Sequence, residues 1–378
     1  MLFFITQIYS VIAVFLGIFF LTLAISNIIE MRWNTKKADI IDGPLVSVLI
    51  PARNEEDNIE RCILSLENQT YRNYEILIID DNSTDSTHSI LCKLREKYPN
   101  IRIFSGKPLE KGWFGKPFAL QQLSAEARGE ILLMTDADTV HSPTSISCAV
   151  TNIKRLNVDF ISGYVGQELK TFGEKMTVPL MYMLTGFILP LILNRITKYS
   201  IFSSAVGQYI AIKKEVFQKL GGYEAIKSKT SEDIYLARYI KKQGYKTRFL
   251  DLSDQVRCRM YAGYYQGVEG IGKNIFDFLG KNSFILFIVF LGVLFFLFFP
   301  FPVMLSMIYE NHPCLNSMIF VNVIYTVLWV CVFVDRKIDW YLAFFWPLLF
   351  LNLLFMAARS WIKTVSGQGF QWKGRVVT

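Results

Sequence analysis

The six cysteines of this 378-residue chain (62, 92, 148, 258, 314 and 331) show no pairing at metal-ligand spacing. That argues against a cysteine-built metal site, and scattered free thiols fit a reducing cytosol. Residues 3–28 contain no charged side chain and are long enough to span a bilayer. No Lys or Arg precedes this run, whereas Arg32, Lys36 and Lys37 follow it. A secretory signal has the reverse polarity, so the pattern predicts a retained anchor with its amino end outside. RNA- and DNA-binding motifs are also missing. The net charge of +8 is therefore assigned to cytosolic, lipid-facing surface.

What is abundant is apolar: 52% of the chain is hydrophobic, with 31 Phe, more than a soluble globular protein carries. The excess lies at the two ends. Between them, residues 46–281 read as one soluble α/β domain. VSVLIPA (46–52) is a β-branched apolar run of the kind found in buried parallel strands. YEILIIDD (74–81), NIRIF (100–104) and EILLMTDAD (130–138) are further strands. Helices are expected over 54–69, with Asn54 as N-cap, over 83–98 and over 117–127. This alternation predicts a parallel, doubly wound sheet. Such sheets bind ligands at the carboxyl ends of their strands. Here those ends carry Pro51–Asn54, Asp80–Asp81 and Asp136–Asp138.

The apolar strand 131–135 stops at Asp136-Ala137-Asp138. Two carboxylates at the end of a buried strand need something to neutralise them. A hard divalent cation carrying a nucleotide diphosphate is a natural guest, since Mg²⁺ and Mn²⁺ take oxygen ligands and bridge phosphates. The alternative is a strand end capped by solvated acids. GWFGKPFAL (112–120) sets two glycines and Lys116 before a helix, which suits a diphosphate although the spacing is not that of a P-loop. Trp113 is either a stacking platform for an acceptor or a hydrophobic lid. Glu232 and Asp233 open a helix, where the dipole favours carboxylates whatever else they do.

PARNEE, IIDDNSTD, GWFGKPFAL, TDAD and SEDIYLA together resemble, in order, the motif set of family-2 glycosyltransferases with the GT-A fold. The match covers about residues 44–280. Within that family the chain most resembles bacterial membrane-bound enzymes that glycosylate 4,4'-diaponeurosporenoate, a carotenoid acid. The amino-terminal anchor, GW-x-GK, the Arg259-Met260-Tyr261 segment and a closing WKGR carry that closer likeness. The implied fold is an α/β GT-A (Rossmann-like) catalytic domain with an N-terminal transmembrane anchor and C-terminal transmembrane or interfacial helices. The resemblance implies that Pro51, Ala52, Arg53 and Glu55 line the base and ribose pocket, and that Asp81 bonds the uracil with Asp80 beside it; the bland readings are a helix cap and an Asx-type turn. It further implies that Lys116 contacts phosphate or sugar. Asp138 would coordinate Mg²⁺ or Mn²⁺, and Asp136 would share the metal or bind the ribose or sugar. Asp233 is the expected general base, supported by Glu232. Many processive relatives carry Gln-x-x-Arg-Trp; this chain does not, and Arg259 is the candidate to touch the diphosphate in its place. That departure argues against polymer synthesis.

The expected layout is an anchor (1–31), the catalytic domain (44–281), membrane helices (282–358) and a basic, cytosol-facing tail (359–378). Residues 178–194 are apolar enough for a short span. A crossing there would separate TDAD from SED, so an interfacial segment admitting a lipid is expected, with a buried core helix as the alternative. Further apolar runs cover 283–309, 317–334 and 340–357. Counting charges in the links leaves one run incomplete, and 340–357 is the expected re-entrant one. The reading is a multi-pass plasma-membrane protein with a cytosolic catalytic domain. It would transfer glucose from a UDP-sugar to a membrane lipid such as a carotenoid acid. The rivals are a polyprenyl-phosphate sugar synthase, a polysaccharide synthase and a membrane-anchored nucleotide-binding scaffold.

Overall fold

In the computed structural model, which describes residues 2–229, 231–372 and 375–377, the uncharged run forms one long helix, α1 (Leu2–Asn34). By length and composition it could cross a membrane. The chain groups into two units. The sheet unit comprises Glu30–Glu168 and Leu191–Met260; the helical unit comprises the chain up to Ile29, Leu169–Pro190, and the chain from Tyr261 onward.

The sheet unit is built on β1 (Val46–Ala52), α2 (Ile59–Glu67), β2 (Tyr74–Asp80), α3 (Thr87–Lys97), β3 (Ile101–Ser105), α4 (Gly115–Glu126) and β4 (Ile131–Thr135). After a sharp turn come β5 (Thr139–His141), α5 (Ser145–Leu156), β6 (Phe160–Tyr164) and β7 (Gly166–Gln167). Val46, Val48 and Ile50 of β1 face one core with Ile76, Ile78 and Leu133. Leu49 faces the other with Leu77, Ile79, Leu132 and Met134. Both faces of these strands are buried, which is why they read as continuous apolar runs.

Two expectations change here. Asn54 is not a helix cap: its φ is +52°, and its Oδ1 accepts from the Thr84 amide at 2.8 Å. Asn tolerates the left-handed region, so the loop rather than a helix continues to Asn58. The second helix likewise begins at Thr87 rather than 83, because Ser83 is held in a turn by Asp80.

In the helical unit, Leu169–Pro190 contains α6 (Phe172–Lys175), a 3₁₀ turn at Val178–Met181 and a π turn at Leu184–Ile188. The Asn27 amide donates to the carbonyls of Thr185, Gly186 and Leu189 at 3.0, 3.2 and 2.8 Å. Irregular backbone in an apolar setting survives only with such partners. The segment is thus broken into short turns, none long enough to cross.

Back in the sheet unit follow α7 (Leu191–Ile196), β8 (Tyr209–Lys213), α8 (Lys214–Lys219), α9 (Glu232–Lys242), β9 (Thr247–Asp251) and β10 (Val256–Cys258). The main sheet has the order β3-β2-β1-β4-β8-β6-β9, and β8 runs antiparallel to both neighbours. The all-parallel expectation is therefore corrected to a mixed sheet. The chain re-enters at β8 from the excursion 168–206, on the side where β4 ends. Mixed sheets of this kind carry an antiparallel strand on an otherwise parallel frame. A small second sheet, β5-β10-β7, stands beside it.

The remaining helices are α10 (Tyr264–Phe278), α11 (Ser283–Gly292), α12 (Pro300–Glu310), α13 (Leu315–Asp335) and α14 (Trp346–Val365). Residues from Tyr261, expected with the soluble domain, group instead with these helices, and α10 lies along α14. Leu315–Asp335 and Trp340–Val365 are each long and apolar enough to cross a membrane. Length therefore does not single out 340–357 as the incomplete run. The sharp bend, 116°, falls between Tyr264–Phe278 and Ser283–Phe298. Arg359 and Lys363 belong to α14 rather than to a loose tail, and both bond Glu269 of α10 (3.0 and 2.7 Å). Lys373 of the expected basic tail lies outside the described residues.

Candidate active site

The ends of β1 and β2 are laced together by backbone amides and short polar side chains. The Asp81 amide donates to the Ala52 carbonyl at 2.8 Å, just beyond Pro51. Arg53 Nη1 donates to the carbonyls of Asp81 and Asn82 at 2.5 and 2.9 Å. The Glu55 amide donates to Thr87 Oγ1 at 2.8 Å, and the Asn58 side-chain amide donates to Glu55 Oε2 at 3.1 Å. Asp80 accepts from the Ser83 amide at 2.9 Å and faces His88 Nδ1 at 3.0 Å. The Asx-type turn is thus present and begins at Asp80. Glu55, Asp80 and Asp81 are all buried. Pro51, Ala52, Arg53, Glu55, Asp80 and Asp81 therefore come together in one place.

A second group forms around Lys116, in the first turn of α4. Its ammonium pairs with Asp136, which follows β4, and lies 3.7 Å from Glu232 at the start of α9. It also donates to the Gly207 carbonyl at 3.3 Å. Gly207 in turn donates its amide to Asp233 Oδ2 at 2.8 Å, while the Ile234 amide donates to Asp233 Oδ1 at 2.8 Å. One lysine and one glycine thus join β4, α4, α9 and the approach to β8. Burial works against the Lys116 charge, but Asp136 and Glu232 outweigh it and hold the ammonium above the usual lysine range. Burial pushes the Asp233 carboxyl up, against the pull of Lys116 and the two amides. A carboxylate kept in this state is a better proton acceptor than an exposed one.

Gly207 was not singled out by sequence. A Cβ there would sit 2.8 Å from Lys116 Nζ and 3.6 Å from Asp233 Oδ2, so the close approach depends on glycine. Its place just before a β-branched run was the available signal.

Asp138 lies between the Asp136 turn and β5. Strand β10 pairs antiparallel with β5, with Cys258 opposite Thr139, so Arg259 follows and Asp138 precedes the last paired residues. Cys258 is fully buried, and burial together with Asp138 and Asp136 pushes its thiol well up. Beneath the turn, Thr139 Oγ1 donates to the Asp136 carbonyl at 2.7 Å. His141 Nε2 lies 3.0 Å from Thr135 Oγ1 and 3.2 Å from Thr139 Oγ1, with Nδ1 3.0 Å from Ser145 Oγ. Burial lowers the His141 pKa to about 3, so the imidazole is neutral and acts as a spacer between hydroxyls. Trp113 is no stacking platform: it is buried against Phe118, with ring centroids 5.3 Å apart.

Among the described residues no three His, Cys, Asp or Glu side chains cluster at metal-binding distance. A cation shared between one or two carboxylates and the phosphates of a substrate needs no such cluster. Asp136 and Asp138, with hard oxygen donors on one tight turn, fit that kind of site.

Residues 47–221 match the family described as Glycosyl transferase family 2. Over that stretch, a little under half of its length, the chain is similar to family-2 glycosyltransferases. The match includes Asp136, Asp138 and Lys116; Glu232 and Asp233 follow it. A probable glycosyltransferase, YdaM, of Bacillus subtilis is 29% identical over 227 residues, covering 59% of this chain and 51% of that protein. Beta-monoglucosyldiacylglycerol synthase of a Nostoc species is 41% identical over 97 residues, 25% of this chain and 20% of that protein. The chain thus spans about half the length of the first relative and a fifth of the second. In fold, the chain is similar to the mannosyltransferase PcManGT of Pyrobaculum calidifontis, solved with GDP-Man and Mn²⁺. Their TM-score is 0.56 at 17% identity, covering 94% of this chain and 99% of that one. The GT-A expectation for the glycosyltransferase domain is met at the level of fold.

Proposed function

We propose that this protein is an inverting, membrane-bound glycosyltransferase that moves a sugar, glucose in the first instance, from a UDP-sugar to a lipid acceptor at the cytosolic leaflet. The observation that carries this reading is the convergence of Asp136, Lys116, Glu232 and Asp233 from separate elements. Solvated strand and helix caps have no reason to share one lysine. The three helices among the described residues that are long and apolar enough to cross a membrane, and the glucosyldiacylglycerol synthase relative, support a lipid acceptor.

In this mechanism the base and ribose sit on Pro51, Ala52, Arg53 and Glu55, with Asp81 on the base. Asp80 holds the loop beneath them. Lys116 moves from Asp136 towards the sugar or diphosphate when the donor enters, and Arg259 reaches the phosphates. Asp138 and Asp136 would hold a divalent cation, Mg²⁺ or Mn²⁺, whose Lewis acidity would offset negative charge on the nucleotide leaving group. Asp233 takes the proton from the acceptor hydroxyl on a carboxylate oxygen, and Glu232 keeps Lys116 within reach. The displacement at the anomeric carbon is a single step that inverts configuration.

The test is nucleotide release by detergent-purified full-length protein. UDP-glucose and GDP-mannose are offered with Mn²⁺ or Mg²⁺, and the acceptor is carotenoid acid, diacylglycerol or total lipid extract. Metal- and acceptor-dependent UDP release, absent in Asp138→Ala, is the expected result. GDP release in its place would move the donor to a guanine nucleotide. Nucleotide binding without release from any donor would leave a binding scaffold.

A further inference from the structure

Residues 191–202 follow the sequence LILNRITKYSIF, and three large apolar side chains on them face solvent. Ile196 is 63% exposed, Tyr199 61% and Ile201 61%. Single exposed apolar residues are ordinary, but these crowd within six positions. Arg195 and Lys198 interleave with them and are also exposed, and no acid lies in the stretch. The patch has a fixed neighbour. Arg195 donates to Glu30 from Nε at 2.9 Å and from Nη2 at 3.3 Å. Glu30 belongs to the last turns of α1, and Trp33, one turn further, is 74% exposed beside exposed Arg32. The ion pair therefore fixes the 195–201 patch level with the place where the apolar run of α1 gives way to charge.

We propose that Trp33, Ile196, Tyr199 and Ile201 form an interfacial foot that seats the sheet unit on an anionic bilayer leaflet, with Arg32 and Lys198 drawn to the lipid phosphates. Aromatic rings settle at headgroup depth, short apolar side chains enter the acyl boundary, and Lys or Arg near the surface is attracted by anionic lipid. No acidic side chain within either segment opposes that attraction once Glu30 is occupied by Arg195. The proposal rests on reading α1 as a bilayer span, and not on the transferase reaction.

The test is hydrogen exchange on the full chain in detergent, in phosphatidylcholine nanodiscs, and in nanodiscs of phosphatidylcholine mixed with phosphatidylglycerol. The amides of 195–202 should exchange most slowly in the mixed discs, and added salt should erase the difference from phosphatidylcholine. Lys198→Glu should lose roughly fivefold or more of that protection, in keeping with the pull of a single basic side chain. Ile201→Ser should weaken protection in both kinds of disc. Equal exchange of 195–202 in detergent and in both discs, with α1 itself protected, overturns the foot while the span stands. If α1 also exchanges freely in the discs, the span reading fails and the foot falls with it. Equal protection in the two kinds of disc overturns the anionic lipid. Protection in detergent that grows with protein concentration assigns the patch to a second copy and overturns the lipid altogether.

Discussion

The two halves of the candidate site hold their carboxylates in opposite ways. At the ends of β1 and β2, Asp80 and Glu55 accept hydrogen bonds from a backbone amide and a side-chain amide, and Asp80 also meets His88. At the ends of β4 and α9, three carboxylates gather around one lysine. The first arrangement is a finished scaffold, since neutral donors satisfy an acid without asking for a partner charge. The second is a charge balance that an incoming anion and cation would disturb. A rigid wall beside a tunable cluster suits a site where one part recognises and the other reacts.

The sharpest way to break this contrast is Asp233→Asn. If the cluster reacts and the scaffold only binds, turnover with an alcohol acceptor should fall about 10²–10⁴-fold, the usual worth of a general base. Nucleotide affinity, measured by calorimetry, should stay the same. A carboxylic acid acceptor sharpens the test, because it is already ionised near pH 7 and has no proton to give. With it the loss should be much smaller. Equal, severe losses with both acceptor classes would remove Asp233 from the proton transfer.

Lys116→Met comes next. It leaves Asp136, Glu232 and Asp233 facing one another without their shared cation, so the Asp233 carboxyl should rise further. A base works ionised, and its activity is lost as pH falls through its pKa in the folded protein. The acid limb of kcat/KM should therefore move to higher pH, with a greater loss at pH 6 than at pH 8. A uniform loss across pH would make Lys116 a donor contact only. Gly207→Ala is milder. The added methyl displaces the end of a flexible lysine rather than backbone, so folding should persist while activity falls roughly tenfold to a hundredfold from misplacement alone. An unchanged rate would mean that the Lys116–Gly207 contact is idle in the working enzyme.

The contrast also marks what sequence could and could not yield. Strands β1, β2 and β4 were legible because both their faces are buried, and their acidic ends were visible as breaks in apolar runs. Lys116 was visible as a charge beside glycines, but not its pairing with Asp136 twenty positions on, which depends on how α4 packs beside β4. The antiparallel β8 was hidden because direction is set by where the excursion 168–206 ends, not by local periodicity. Asn54 reads as a cap in any local window, and only the loop across from it, at Thr84, gives its side chain another use. His141 and Thr139 carry no local signal of their own, and their place under the Asp136 turn needs the fold.

The smallest expected effect lies on the scaffold side. Asp80→Ala removes an acceptor from the Ser83 amide and from His88. The carboxylate is buried and the His88 side chain is 57% exposed, so the turn carries most of the consequence and the imidazole little. Stability should fall by about 1–2 kcal/mol, the loss expected when a partly buried amide is left without its acceptor. Thermal unfolding of the full chain in detergent reads that change. His88→Ala should fall well short of it. The rate constant at saturating donor should hardly move in either variant, since the cluster proposed to react is held by Lys116 and Gly207 and not by this turn. A drop in that rate as deep as that of Lys116→Met would show that the two halves are one device, and that the wall is part of the reaction.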